Sequence, residues 1–318
     1  MEKRWTKIIL VLTLGLILPG ILLGAIVDAQ NQVTPEITAP TQTQPDAEDL
    51  LVNVVVDGAA VRQMQMDDYL VCVLLTEMPA DFELEALKAQ AVVARTYALR
   101  RMEAADKHGS GAVCTESSCC QGYCEIDTYL SSGGTLEDVE KMRRAVESTK
   151  DQVLTYNGTL IEATYFSCSG GKTEDAKAVW GADVPYLQAV DSPGEEAASH
   201  FMESIVFTKD EFSERLHCSL PETSSDWIKG IEYTAGGGVK TIQIGDNTFT
   251  GTSIRTLLGL PSTAFMITAV GDHIIITTKG FGHRVGMSQY GADAMAVNGS
   301  TYDEILSHYY RGTELSYI

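Results

Sequence analysis

The chain has 318 residues, with 43 acidic against 23 basic side chains and a formal charge of −20. That balance argues against binding nucleic acid or anionic lipid through bulk electrostatics, since those partners are met with concentrations of Lys and Arg. Seven cysteines and six histidines keep disulfide and metal chemistry open, and no internal repeat is visible.

Residues 8–27 form an apolar run of 20 without a charge, preceded by Lys3, Arg4 and Lys7 and followed by Asp28. A helix of that length spans a bilayer, and the flanking charges put the N-terminus in the cytoplasm and everything after Asp28 outside. The run is read as an uncleaved single-pass anchor in the cell membrane. A cleaved signal peptide competes with that reading, with Val27-Asp28-Ala29 as its cleavage site. Residues 1–28 are thus stub and anchor. Residues 29–49, rich in Pro, Thr and Gln, are expected to be a disordered linker. The remaining 50–318 are enough for one large unit or two subdomains sharing a core.

Within that unit a strand is predicted at residues 52–56. The apolar stretch 70–75 predicts a buried helix ended by Pro79, because the residue before a proline is pushed out of helical geometry, and Glu77 falls at its end. In the following helical run, residues 82–98, Leu84, Leu87, Ala91, Ala94 and Ala98 recur at helical spacing. Lys88 and Arg95, seven apart, share the edge of one face. One acid beside two cations can do acid/base work, although such residues on an alanine-rich helix are as often simply solvated.

His108, Cys114 and Cys120 are each separated by five residues in a Gly- and Ser-rich stretch, a zinc-like ligand set. Cys119 and Cys124 crowd the assignment, and disulfides compete with a metal. Cys168 and Cys218 are open to a bridge or to being buried free thiols, as Cys72 is. Further strands are predicted at 152–156, 161–166, 239–244 and 273–278, and residues 201–262 read as a smaller inserted subdomain. The order favours α+β over alternating βαβ units, with the helical pair around Glu77 packed on mixed or antiparallel sheet.

Four stretches carry a resemblance. They are Thr76-Glu77-Met78-Pro79-Ala80 with its following helix, Tyr165-Phe166-Ser167-Cys168-Ser169-Gly170-Gly171-Lys172-Thr173, Gly280-Phe281-Gly282-His283-Arg284-Val285-Gly286-Met287-Ser288-Gln289-Tyr290-Gly291-Ala292, and residues 302–312. In this order they resemble the stage II sporulation protein D (SpoIID) family over residues 50–318. The resemblance implies a peptidoglycan lytic transglycosylase that cuts the β-1,4 bond from N-acetylmuramic acid to N-acetylglucosamine and leaves a 1,6-anhydro sugar, during sporulation engulfment. It also implies a structural Zn2+ held by one His and two Cys, matched here by His108, Cys114 and Cys120. The implied partners are peptidoglycan strands, an amidase (stage II sporulation protein P) and a membrane protein (stage II sporulation protein M).

That reaction sets a residue requirement. Glycoside hydrolysis ordinarily needs two carboxylates, but when the sugar's own C6 hydroxyl attacks, one Glu can protonate the leaving oxygen and then accept the hydroxyl proton. Glu77 is the expected catalytic residue, held in an apolar pocket that keeps its proton. Lys88 and Arg95 are expected to face away from it and to bind the free lactyl carboxylate of a peptide-free muramic acid. Tyr165, Ser167, Ser169, His283, Ser288 and Gln289 are expected to hydrogen-bond sugar hydroxyl and acetamido groups. The competing class is a catalytically silent wall-binding or scaffold protein; a zinc amidase is a distant third.

Overall fold

The computed structural model describes residues 50–56, 60–104, 108 and 111–318. The anchor and linker expected over residues 1–49 lie outside them. Among the described residues no helix is long and apolar enough to cross a membrane.

The main lobe opens with a β1 (Leu51–Val56) and β2 (Ala60–Gln65) hairpin running into α1 (Met66–Glu77). Asp67 and Asp68 in the first turn of α1 suit the positive end of its dipole. Its last turn closes with the Met78 N–H on the Leu74 carbonyl, immediately before Pro79. The second helix, α2 (Leu84–Ala104), is rich in alanine, and residues Ala89 to Ala98 are buried without interruption. Such all-round burial marks a central helix rather than a surface one. Around it pack α4 (Leu136–Ser148), introduced after β3 (Ala112–Cys114) and α3 (Ile126–Ser131), and strand β4 (Gln152–Tyr156). A Thr135/Asp138 capping box fixes where α4 begins. The short β5 (Thr159–Leu160) pairs with β4, and β6 (Tyr165–Phe166) and α5 (Ala176–Trp180) complete this half. The strand expected over 161–166 is therefore confined to its last two residues.

The chain then builds a second core of its own. Strand β7 (Met202–Thr208), α6 (Lys209–Leu216), the β8 (Ile228–Tyr233), β9 (Val239–Ile244) and β10 (Asn247–Thr250) meander, α7 (Gly251–Leu258), β11 (Phe265–Val270) and β12 (His273–Lys279) form two three-stranded antiparallel sheets. They close over Phe212, Trp227, Ile242, Ile254 and Ile276, all essentially buried. The inserted lobe runs past the expected end at Ser262 to Lys279, because β12 pairs with β7 along its whole length. After it, β13 (Met287–Ser288), α8 (Gln289–Val297), α9 (Tyr302–Tyr309) and β14 (Glu314–Tyr317) return to the main lobe. The fold is α+β with mixed sheets: β1 pairs antiparallel with β2 and parallel with β3, and β14–β4–β5 is antiparallel.

One small pairing decides where function can sit. Strand β13 lies parallel to β6, with Met287 opposite Tyr165 and Ser288 opposite Phe166. A bridge also joins Cys168 to Phe281. Two stretches over a hundred residues apart in sequence thereby become one surface beside the end of α1.

Candidate functional site

Glu77, half-buried at the last position of α1, lies where two clefts meet. The larger, about 610 Å3, is lined on one side by Tyr165, Phe166 and Ser167 and on another by Phe281, Gly282 and His283. The smaller, about 420 Å3, continues past Met78 and Pro79 toward Tyr129 and His200, and shares Glu77, Ser167 and Gln289 with the first. Both volumes are of the size that holds a small-molecule or oligomeric segment.

The Glu77 side chain is fixed by the protein. Its Oε1 accepts the Gly122 N–H at 2.5 Å. A Cβ on Gly122 would come within 2.7 Å of the Thr76 methyl and 2.9 Å of that same oxygen, so only glycine lets the backbone approach this closely. The Gln289 side-chain amide donates to the Glu77 carbonyl at 2.9 Å. The Tyr165 hydroxyl donates to Gln121 at 3.1 Å, and Gln121 donates in turn to the Tyr69 hydroxyl at 3.1 Å. Burial first, and then the nearby Glu77 charge, hold the Tyr165 phenol well above its usual range, so it stays a neutral donor.

His283 lies between Trp180 and Phe166, its ring centroid 5.3 and 5.6 Å from theirs. Burial, reinforced by the Arg255 charge, pushes this imidazole down to about 4. Its Nδ1 accepts the Val285 N–H at 3.1 Å, which leaves the proton of the neutral ring on Nε2. The cleft's other carboxylate is Glu162, and it is committed elsewhere: it pairs with Arg100 at 3.1 Å and with Arg101.

The expected site residues divide sharply. Glu77, Tyr165, Ser167, His283 and Gln289 are brought together on the cleft. Four others are not. Arg95 is 1% exposed and spends its guanidinium on the carbonyls of Val146, Thr149 and Gln152, with Asp67 at 3.4 Å. It caps the C-terminus of α4, where a cation meets unsatisfied carbonyls and the negative end of the dipole. Lys88, in the first turns of α2, pairs with Glu85 at 2.6 Å, lies over the Tyr302 ring and does not line either cleft. The carboxylate-binding role expected of both is thus corrected.

Ser169 is fully buried, donating to Glu195, which also accepts from the backbone N–H groups of Ser169 and Gly170. Ser288 is the buried N-cap of α8, accepting from the Gly291 N–H. Both serines shape loops rather than touch a ligand. Sequence reasoning missed Tyr97, Trp180 and Phe281, of which Trp180 is 46% and Phe281 43% exposed. Large aromatics left open beside glycines were the available signal.

None of the seven cysteines is in a disulfide, so the Cys168–Cys218 bridge does not form; Cys168 instead donates to Glu195. His108, Cys114, Cys119 and Cys120 bring one ligand atom each to within 4.8 Å of one another. Tetrahedral zinc, with Zn–S about 2.3 Å and Zn–N about 2.0–2.1 Å, separates its ligand atoms by roughly 3.5–3.8 Å. Cys120 Sγ stands at the lower edge of that range from His108 Nε2, at 3.5 Å, and Cys119 Sγ just below it, at 3.4 Å, close enough for one ion to meet both with a small adjustment. The donor set and spacing fit the ion. Cys119 and Cys120 also line the large cleft, so the cluster forms part of its wall.

A family model described as "Stage II sporulation protein" matches residues 57–156. Stage II sporulation protein D of Bacillus subtilis (strain 168) is 40% identical over 261 residues, covering 81% of this chain and 76% of that protein. The Bacillus amyloliquefaciens protein of the same name is 37% identical over 262 residues, with the same coverage. A B. subtilis protein named "Amidase enhancer" is 31% identical over 300 residues, covering 77% of this chain but 40% of its own length. By extent and identity of match, the chain belongs to the stage II sporulation protein D family.

Proposed function

We propose that the protein is a sporulation enzyme of the cell wall, a lytic transglycosylase that cleaves the N-acetylmuramic acid to N-acetylglucosamine β-1,4 bond of peptide-free glycan strands with 1,6-anhydro ring formation. One observation carries the reading: among the described residues lining the two confluent clefts, Glu77 is the one carboxylate outside an ion pair, and the second acid, Glu162, is held by two arginines. Retaining and inverting hydrolysis each need two working carboxylates. An intramolecular attack needs one.

In this reading a strand lies through both clefts with the scissile oxygen beside Glu77. Glu77 delivers a proton to that oxygen and then takes the proton of the C6 hydroxyl, which closes on C1. Water is not consumed. The open faces of Trp180 and Phe281 offer apolar area to the pyranose rings. Neutral His283, through Nε2–H, and Gln289, through the second hydrogen of its amide, supply donors to hydroxyl and acetamido groups, and the Tyr165 oxygen, whose proton goes to Gln121, can accept from a sugar hydroxyl. A Zn2+ held at His108, Cys114 and Cys120 would supply a cross-link that stiffens the wall carrying Gly122. The charge pattern around residues 8–27 supports membrane attachment, with the catalytic unit outside. The sporulation amidase (protein P) and membrane protein (protein M) implied by resemblance are the proposed partners.

A non-catalytic, wall-binding role has one specific support, the 31% identity to a protein named as an amidase enhancer. Mass spectrometry of products from purified peptide-free strands separates the two. Anhydro ends that vanish with Glu77→Gln, while strand binding persists, are the expected result. Unchanged strands with the native chain would establish the binder, and reducing ends a hydrolase.

A further inference from the structure

The geometry points to Cys119 as a fourth protein ligand, so that the metal centre is a closed Cys3His site and acts as a clasp on the cleft wall with no open coordination position. This rests on the metal-binding reading given above, in which resemblance accounts for three ligands only; the fourth belongs to this chain's own Cys119-Cys120 pair.

Three observations support it. First, the N–H groups of Cys119 and Cys120 both donate to the Glu116 carbonyl, at 2.9 and 2.8 Å. That tight turn allows two adjacent residues to put their sulfurs on one side of the backbone, and both reach His108 Nε2 within 3.5 Å. Second, the alternative thiol is occupied elsewhere. Cys124 Sγ points to the Glu125 carbonyl at 3.5 Å, its N–H donates to the Cys72 carbonyl, and it stands outside the four-atom cluster. Third, three thiolates and an imidazole complete the tetrahedral preference of zinc, which in structural sites is filled by four protein ligands.

The position of the clasp gives it a purpose. Cys114 ends β3, which is paired in parallel to β1, while Cys119 and Cys120 lie two to three residues before Gly122. A metal bridging them would tie the segment that donates to Glu77 Oε1 back to the β1–β3 sheet. The Tyr97 hydroxyl, donating to the Cys119 carbonyl at 3.4 Å, anchors the same turn to α2. In a loop lacking regular structure between residues 115 and 125, one such cross-link substitutes for a core.

The test uses the purified full chain in detergent, loaded with Zn2+ alone or with Co2+ as a spectroscopic probe. Native protein is expected to bind one ion with thiolate-to-cobalt charge transfer. Cys119→Ser should lose about a third of that absorption and weaken Zn2+ binding by roughly tenfold or more, as removal of even an outer partner does; Cys124→Ser should change neither. Alkylation of native protein, read by peptide mass spectrometry, needs no variant: Zn2+ should protect Cys119 together with Cys114 and Cys120 and leave Cys124 equally reactive. Full charge transfer in Cys119→Ser, or alkylation of Cys119 in the zinc-loaded chain, would overturn the assignment while leaving the three-ligand site standing. Absence of any bound ion would overturn both.

Discussion

Glu77 shows how much of a site is made by a neighbour that contributes no side chain. Gly122 offers an N–H at 2.5 Å and leaves no room for a Cβ. Gly122→Ala should therefore displace the carboxylate without disturbing either core. A displacement of the order of 1 Å in a reacting group costs about 10²-fold in rate, so turnover on peptide-free strands should fall by roughly that factor while the thermal midpoint changes little. His283 yields a second expectation. Its imidazole is depressed from 6.5 to about 4, so between those values the unfolded chain binds the proton that the folded chain refuses. Stability from this group is complete above the unfolded value and is lost as pH falls toward 4. The loss is at most about 3 kcal/mol, and less because the ring is partly open to the cleft. Denaturant titrations from pH 7 to pH 4 should show a shallower decline for His283→Gln than for the native chain. The motif around Glu77 was legible because it is a contiguous string, as were Tyr165, Ser167, His283 and Gln289. Ser169 and Ser288 were not separable from them, since a serine that bonds a sugar and one that bonds its own loop are the same residue type.

Among the elements, α2 departs most from its sequence reading. Helical spacing located it and Pro79 separated it from α1, but the pattern could not show that α4, α8 and α9 cover its remaining faces. Residues at the edge of an amphipathic stripe look solvated until a further helix packs over them. Arg95 is the outcome: a buried cation terminating α4 through three carbonyls. Replacing it with Met removes a donor from each of those carbonyls, although Val146 and Thr149 keep a backbone N–H, at a cost of about 1–3 kcal/mol. Arg95→Lys should recover little, because a single ammonium cannot reproduce the planar fork. Urea unfolding measures the loss. Assays on peptide-bearing and peptide-free strands should decline together, whereas a selective loss on peptide-free strands would restore the lactyl-carboxylate role.

For the whole molecule, the two cores meet at a buried ion pair that no local pattern announces. Arg284 stands at a φ of 66° inside the Gly-His-Arg-Val-Gly segment and is 2% exposed. Its guanidinium donates to the carbonyls of Ser169 and Lys172 in the main lobe and of Gly236 in the inserted lobe, at 2.7, 2.6 and 2.9 Å. Glu174 faces it at 3.4 Å and accepts from Thr234 and from the Gly238 N–H. The sequence marked an insertion because strands and helices resumed between two motifs; its end at Lys279 was hidden because β12 pairs back to β7, a long-range choice made by register. The pair's bonds cross from one lobe to the other, so its loss should fall on the joint and spare both cores. Arg284→Met keeps the unbranched stem at the same φ but leaves Glu174 charged and buried, a defect worth about 3–5 kcal/mol. Calorimetry should then resolve two transitions where the native chain gives one, with Trp227, 1% exposed in the inserted core, reporting the earlier by fluorescence. Adding Glu174→Met removes the stranded charge but also the bonds to Thr234 and Gly238, so stability should partly recover while the two transitions stay apart. A single transition shifted as a unit in Arg284→Met would mean that the lobes are coupled by packing alone and that the ion pair is not their joint.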